Sequence, residues 1–370
     1  MTKCAYFIYG EHASGIINSQ AVDVVKFYNS SGLANCSLIA FLPYPFALKT
    51  HAQLEEFIGH SLNKTRALPQ RFWPLLLKWE SIRLAWKIKQ GEINTIICRG
   101  AFSTIIALET KNRFYKSLRV CYDGRGAVAA EHEEYGVYPH YLVPLMYESE
   151  KRSVLESDTQ IAVTKNLVQY WRNRYGYRST NHQIIPTTLD SSIILENQPE
   201  FISVNRIKNR EKLNVRAEEV LLVYCGSSAG WQSFGLLFEY LNKCLSEQDN
   251  IKVLLLTQEH SLISELSLKF PGRVIRRFVK PNEVCNWLVT GDYGLLIREQ
   301  SITNNCASPT KYAEYLRAGL KVITRYNLSE FSPKKLSNNY IDNILDSYNI
   351  DGVKEYSKEH HKSEYSKICS

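Results

Sequence analysis

Apolar runs of strand length recur along the chain and alternate with stretches of helical periodicity. Residues 4–9 (CAYFIY) make a β-rich run, and GEHASGIINSQAVDVVKFYNSSG follows as a glycine-containing turn opening an amphipathic helix. CSLIAFLPY, NTIICRG and SLRVCYDGRG read as further strands. SDTQIAVTKNLVQYWRNRYGYRSTNHQIIPTTLD reads as a strand, a helix from Lys165 to Tyr175, another strand and an I-P-x-x-x-D exit. A second series starts at Val220: LLVYCGSSAGWQS is strand, turn and helix, and IKVLLLT, RVIRRFV, YGLLIR and LKVIT are four more strands with helices between them. Strands this uniformly apolar, spaced by helices, belong to parallel sheets covered on both faces. The pattern predicts an α/β protein of two Rossmann-like domains, 1–190 and 191–340, with a charged helical tail at 341–370. The polar stretch 191–219 supplies the linker and a helix leading into the second domain.

One helical stretch carries more than packing needs. Between Lys64 and Gln90, Trp73, Trp79 and Trp86 stand among Arg71, Lys78, Arg83, Lys87 and Lys89. The simpler expectation is an apolar stripe turned to the core. The alternative is an interfacial face, with rings in the headgroup layer of a membrane and cations against anionic lipid.

Composition narrows the class. With 370 residues, 44% hydrophobic and 22% charged, the chain can bury two cores and is not disordered by default. A formal net charge of +8 favours an anionic partner without choosing it. Nine cysteines with no C-x-x-C pair give neither a disulfide framework nor a zinc spacing and read as buried thiols of a reducing cytoplasm. The N-terminus enters a strand at once, and no apolar run reaches membrane-spanning length, so the expectation is a cytoplasmic protein whose membrane contact is peripheral.

The candidate chemistry centres on SITNNCASPTKYAEYLRAGLKVITRYN, residues 301–327. Ser308 suits an N-cap, Pro309 the first helical position and Gly319 a left-handed C-cap, for a helix of about three turns. Lys311 in the first turn opposes the helix dipole unless an anion binds there, which points to a phosphate. Glu314, three residues on, shares its face and can accept the two hydroxyls of a ribose; the plain alternative is a surface i, i+3 ion pair. In the first half, predicted strands end in Arg99 and Gly100 and in Asp123, Arg125, Gly126 and Glu131. Ligands of open parallel sheets bind beyond such carboxyl ends. The first loop lacks G-x-G-x-x-G, so a dinucleotide fingerprint is absent. The adjacent pair His360 and His361 reads as solvated.

GLLIREQ followed by SPTKYAEYLRAGLKVI resembles the donor-binding segment of family 4-like glycosyltransferases of the GT-B fold, the bacterial surface-polysaccharide type included. The resemblance covers nearly the whole chain and implies two Rossmann-like domains facing across a cleft, with a terminal helix crossing back to the first. It implies that the helix start, with Ser308, Thr310 and Lys311, holds the diphosphate of a nucleotide-sugar and that Glu314 holds its ribose. Y-C-G-S-S-A-G-W-Q is similar to the loop after the first donor-domain strand, adding Gly226, Ser227 and Trp231, with Gln232 beside it. A basic pair found after that turn in other members is missing here, which leaves Arg298 and Lys311 to neutralise the diphosphate. Val279 and Lys280 match the segment that meets the nucleobase. His12, Ser14 and Gly15 in the first loop, with Arg99 and Arg125, fall on the acceptor side. The D-G-R-G-x4-E group resembles a feature of polysaccharide glycosyltransferases; its structural alternative is a turn held by an Asp–Arg pair.

What this implies chemically is glycosyl transfer from a nucleotide-sugar to a glycan or lipid-linked saccharide. Arg298, Lys311 and the amides of Thr310 and Lys311 would meet charge growing on the leaving phosphate. An inverting enzyme needs a base, for which Asp123 and Glu131 are the candidates, whereas a retaining one, as the resemblance favours, can use the leaving phosphate itself. No D-x-D occurs, so no metal and no cofactor is expected. Cys306 stands where the family carries the first of two paired glutamates, which leaves the sugar and the stereochemistry open. Nucleic acid is not an expected partner; an anionic membrane surface is. The competing readings are a GT-B UDP-sugar epimerase and a non-catalytic relative that binds glycans or anionic surfaces.

Overall fold

The computed structural model describes residues 2–11, 15–43, 62–68, 73–136, 139–189, 198–280, 283–324, 344–345 and 355–369. His12 and Ser14 lie outside the described residues, and so does Asp190 of the I-P-x-x-x-D exit. The chain divides into two compact units: Met1–Ser191 with Cys306–Ser308 and Ser357–Ser370, and Ser192–Asn305 with Pro309–Tyr356.

Unit 1 holds a parallel sheet of β1 (Lys3–Tyr9), β2 (Asn35–Leu42), β3 (Leu62–Arg66), β4 (Thr95–Arg99), β5 (Arg119–Gly124), β6 (Thr159–Ala162) and β7 (His182–Ile184), in the order β3-β2-β1-β4-β5-β6-β7. Its helices include α1 (Asp23–Ser30), α2 (Trp73–Gly91), α3 (Gly100–Arg113), α4 (Val128–Tyr135), α5 (Val143–Glu156) and α6 (Lys165–Tyr175). Strand alternation divides the core: Cys4, Tyr6 and Ile8 enter one buried cluster, and Ala5, Phe7 and Tyr9 the other. Gly15 begins a short helical segment, Gly15–Ile17, ahead of α1. α6 starts and stops where the periodicity places it. Thr164 Oγ1 accepts from the Leu167 amide at 3.1 Å, and Gly176 closes the helix at φ +71°.

Unit 2 repeats the plan with α7 (Gln198–Lys212), β8 (Val220–Cys225), α8 (Phe234–Glu247), β9 (Ile251–Leu256), α9 (Ser261–Lys269), β10 (Val274–Arg277), α10 (Val284–Leu288), β11 (Tyr293–Leu295), α11 (Ile302–Cys306), α12 (Thr310–Arg317), β12 (Lys321–Ile323) and β13 (Ile344–Leu345). The sheet order is β10-β9-β8-β11-β12-β13, parallel except for β13. Here too β8 splits its side chains, Leu222 and Tyr224 to one cluster and Leu221, Val223 and Cys225 to the other.

Three expectations need correction. α12 is eight residues long, about two turns rather than three. Its N-cap is Pro309, with no side-chain cap, because the Ser308 hydroxyl is engaged elsewhere and accepts from the Thr187 amide at 3.0 Å. Trp79 and Trp86 do not form the core stripe of α2. Leu84, Ala85 and Ile88 face inward, while Trp79 and Trp86 are 63% and 62% exposed.

Candidate functional site

The site in unit 2 is assembled around one buried tyrosine. Tyr315, 0% exposed, donates its hydroxyl to the Leu295 carbonyl at 3.2 Å and accepts from the Cys225 amide at 3.0 Å. It thereby pins α12 to the ends of β8 and β11. Gly294 allows this approach, since a Cβ there would lie 2.4 Å from the Tyr315 ring. With α12 fixed, Lys311 takes a defined place in its first turn and Glu314 one turn further on. Lys311 Nζ donates to Glu314 Oε2 at 2.6 Å, and the two side chains remain 24% and 17% exposed.

Arg298, just beyond β11, is 6% exposed and donates through Nη2 to Gln232 Oε1 at 3.0 Å. Tyr224, Cys225, Gln232, Arg298, Lys311 and Tyr315 line one small pocket. Burial alone would lower the Lys311 pKa, but Glu314 and the Cys225 thiol outweigh it and raise the value, so the ammonium stays charged. Burial pushes the Cys225 thiol up, against the pull of Lys311. Two cations are thus held beside the start of α12, where the first amides of a helix have no intrahelical partner.

Of the residues predicted for the donor, the structure brings Arg298 and Lys311 to this pocket and sets Glu314 against Lys311. Gly226 and Ser227 follow β8 directly, and the Tyr224 hydroxyl donates to the Ser227 carbonyl at 2.7 Å. Gly226 has no room for a Cβ, which would come within 2.7 Å of the Tyr224 hydroxyl oxygen. Thr310 opens α12. Trp231, Val279, Lys280 and Ser308 do not line the pocket. Trp231 sits half-buried in the 3-10 turn beside Gln232, and Val279 packs against the core cluster beneath α12. The Lys280 amide donates to Glu283 Oε2 at 3.1 Å. Sequence reasoning left Tyr224, Cys225 and Tyr315 out of the site. Their signal is the apolar character of strand ends and helix faces, which packing alone also explains.

The predicted residues of unit 1 are held differently. Asp123 ends β5, yet it is 2% exposed, accepts from the Tyr6 hydroxyl and pairs with Arg125 at 3.4 Å. Arg125 also donates to Thr187 Oγ1 at 3.2 Å. Tyr365, from the helix Lys362–Cys369, joins Tyr6, Tyr28, Asp123 and Arg125 around a second small pocket. The expectation of a reactive carboxylate at an open strand end therefore needs correction: side chains from β1 and the helix Lys362–Cys369 stand over it. Arg99 likewise donates to Glu11 at 3.0 Å and Gln20 at 2.8 Å, with a side chain 9% exposed. Burial would lower its pKa, but Glu11, Tyr6 and Asp123 hold it above the ordinary value. Glu131 lies apart, half-buried in the first turn of α4.

Cys306 packs in the apolar cluster of unit 1 with Tyr122, Ala130 and Trp171, and its carbonyl accepts from Thr164 Oγ1 at 3.0 Å. Burial and the nearby Glu150 and Glu134 push its thiol up to about 12. A glutamate in its place would set a further carboxylate beside these two. Among the described residues, no group of three or more His, Cys, Asp or Glu is placed to hold a metal.

No family model matches the chain, and no curated protein does. Solved structures do. A glycosyltransferase from Rickettsia africae is similar at TM-score 0.64 and 13% identity over 89% of this chain and 80% of that one. HepE of Anabaena, solved in complex with UDP, is similar at 0.62 and 13% over 100% and 93%. WaaG, a glycosyltransferase involved in lipopolysaccharide biosynthesis, is similar at 0.62 and 12% over 99% and 94%. A Listeria monocytogenes protein assigned as a UDP-N-acetylglucosamine 2-epimerase follows at 0.53 and 10% over 100% and 90%. At these identities the likeness defines the fold, which is GT-B: two Rossmann-like domains, each an α/β sheet.

Proposed function

We propose that this protein is a glycosyltransferase that takes its nucleotide-sugar at the start of α12 and passes the sugar to a glycan or lipid-linked saccharide of a bacterial surface polysaccharide. The observation that carries the reading is the pairing of Arg298 and Lys311 in one pocket at a helix start, in a fold shared with a UDP-bound structure. Arg298, Lys311 and the amides of Thr310 and Lys311 receive the charge that grows on the leaving diphosphate, without a metal. Glu314 takes the ribose hydroxyls, Gly226, Ser227 and Trp231 border the donor, and Val279 and Lys280 lie toward the base. The acceptor side is assigned to the first loop with His12, Ser14 and Gly15. The burial of Asp123 counts against it as a base and in favour of retention, with the leaving phosphate accepting the acceptor proton; Glu131 remains the carboxylate to test if the product is inverted. The kinship of fold with WaaG supports the surface-glycan assignment.

The test is incubation with a panel of nucleotide-sugars, following nucleotide release with and without candidate acceptors. Acceptor-dependent release is expected. Sugar isomerisation without net release would establish the epimerase reading instead, and binding without either would establish a non-catalytic one. In parallel, Lys311→Ala should weaken UDP by about one to two decades, the loss of a charge-assisted contact of about 1.5–3 kcal/mol, with the melting temperature unchanged. Equal affinity in calorimetric titrations of both proteins would remove Lys311 from the donor seat.

A further inference from the structure

We infer that the outward face of α2 is a docking surface for an anionic lipid membrane, an inference that rests on this helix and not on the glycosyl-transfer reading. Trp79, Ile82 and Trp86 are 63%, 46% and 62% exposed, large apolar side chains left in water along one helix. At 3.6 residues per turn they fall within a sector of about 60°. By the same geometry Lys78 and Lys89 flank that sector on one side, and Arg83 and Lys87 on the other.

The opposite side of the helix is spoken for by Leu84, Ala85 and Ile88, buried in the core. The stripe is therefore a second apolar face, in addition to the one that folds the domain. Its charge is of one sign. The only acid in α2 is Glu80, which is 0% exposed and consumed by Arg83 at 2.8 Å and the Leu68 amide at 2.8 Å. Among the described residues, no carboxylate pairs with Lys78, Lys87 or Lys89.

Two exposed indoles at the centre, cations on both borders and no outward acid match the headgroup layer of an anionic bilayer. Tryptophan rings settle at the boundary between headgroups and acyl chains, while lysine stems reach up to the lipid phosphates. Lys87 already lies 5.2 Å from the centroid of the Trp86 ring, so the two side chains present one surface. No helix among the described residues is long and apolar enough to cross a membrane, so this contact lies on the surface.

The experiment is co-sedimentation of the whole chain with vesicles of phosphatidylcholine alone or mixed equally with phosphatidylglycerol. The parent should bind the anionic vesicles, bind the neutral ones poorly, and leave as salt rises, because headgroup attraction is screened beyond roughly 8 Å at physiological ionic strength. Trp79→Ser with Trp86→Ser, and separately Lys78→Glu with Lys89→Glu, should each lower partitioning at least tenfold. Both pairs should melt as the parent does, since the side chains changed are solvent-exposed. Brominated lipid should quench the parent's tryptophan emission, a reading that needs no variant. Absence of binding, or equal binding by the tryptophan pair, would overturn the inference. So would self-association of the parent that the same substitutions abolish, which would make the face a contact between copies of the chain.

Discussion

Two clusters of charged residues stand out in this chain, one at the end of β5 in unit 1 and one on α12 in unit 2, and they differ in burial. In unit 1, Asp123 is 2% exposed, accepts from the Tyr6 hydroxyl and pairs with Arg125 at 3.4 Å. In unit 2, Lys311 and Glu314 form an ion pair that is still 24% and 17% open to solvent, above the start of α12. A closed cluster has its strongest partners already in place and serves mainly the fold. An open pair can exchange partners when a ligand offers better ones.

The largest test of that contrast is Asp123→Ala. Removing one side of a buried ion pair leaves Arg125 uncompensated, so urea unfolding should show a loss of about 3–5 kcal/mol. Adding Arg125→Met should recover part of it. If instead stability holds within about 1 kcal/mol while turnover collapses, Asp123 is accessible to substrate and the contrast fails.

The strands were legible because parallel strands buried on both faces read as unbroken apolar runs, and β1, β8 and β9 are of that kind. β3 was not, since LNKTR at the sheet edge carries a single large apolar residue. α2 was misread at Trp79 and Trp86 because apolar residues occur nearly all round it, and periodicity cannot choose which stripe the core selects. In the sequence Lys311 stands out through its conflict with the helix dipole, and Arg298 through the resemblance of GLLIREQ to a donor-binding segment; the structure brings both to one pocket. The cover over Asp123 was not legible, because it includes Tyr365, more than two hundred residues away. Nor could Ser308 be read correctly, for the Thr187 amide that claims its hydroxyl lies 121 residues away in sequence.

The next test sharpens the account of unit 1 as a place where charge is buried for structure. Glu150 on α5 is 0% exposed; it accepts from the Tyr175 hydroxyl at 2.8 Å and the Ala129 amide at 3.4 Å, and no partner reaches its Oε1. Burial raises its carboxyl to about 7, against the pull of these donors. A folded-state value above the unfolded one of about 4.3 means that stability is fully present below pH 4 and is lost as pH rises to about 7. Glu150→Gln should therefore gain on the parent by up to about 3 kcal/mol between pH 4.5 and 8 in denaturant titrations. His132, which burial holds down at about 4, adds a slope of opposite sign, but it does so in both proteins and cancels in their difference. A difference that stays flat across this range would mean that Glu150 is solvated and the cluster is not closed.

The smallest expected effect probes whether the open pair of unit 2 changes partners. In the free protein Glu314 holds Lys311 at 2.6 Å, so an incoming diphosphate must win the lysine from it, and the carboxylate then needs a new donor. The ribose hydroxyls of a nucleotide supply that donor, and inorganic pyrophosphate does not. Glu314→Gln keeps the size and acceptor oxygen of the side chain but removes the charge that both the lysine and the hydroxyls use. UDP should then bind about five- to tenfold more weakly, a loss of about 1–1.4 kcal/mol, in the range of one ordinary hydrogen bond. Pyrophosphate should bind as before or more tightly, because Lys311 no longer has to be taken from a competing carboxylate. Opposite signs for the two ligands in parallel titrations would show the exchange, whereas an equal loss for both would mean that Glu314 acts by positioning Lys311 and that unit 2, like unit 1, keeps its ion pair when occupied.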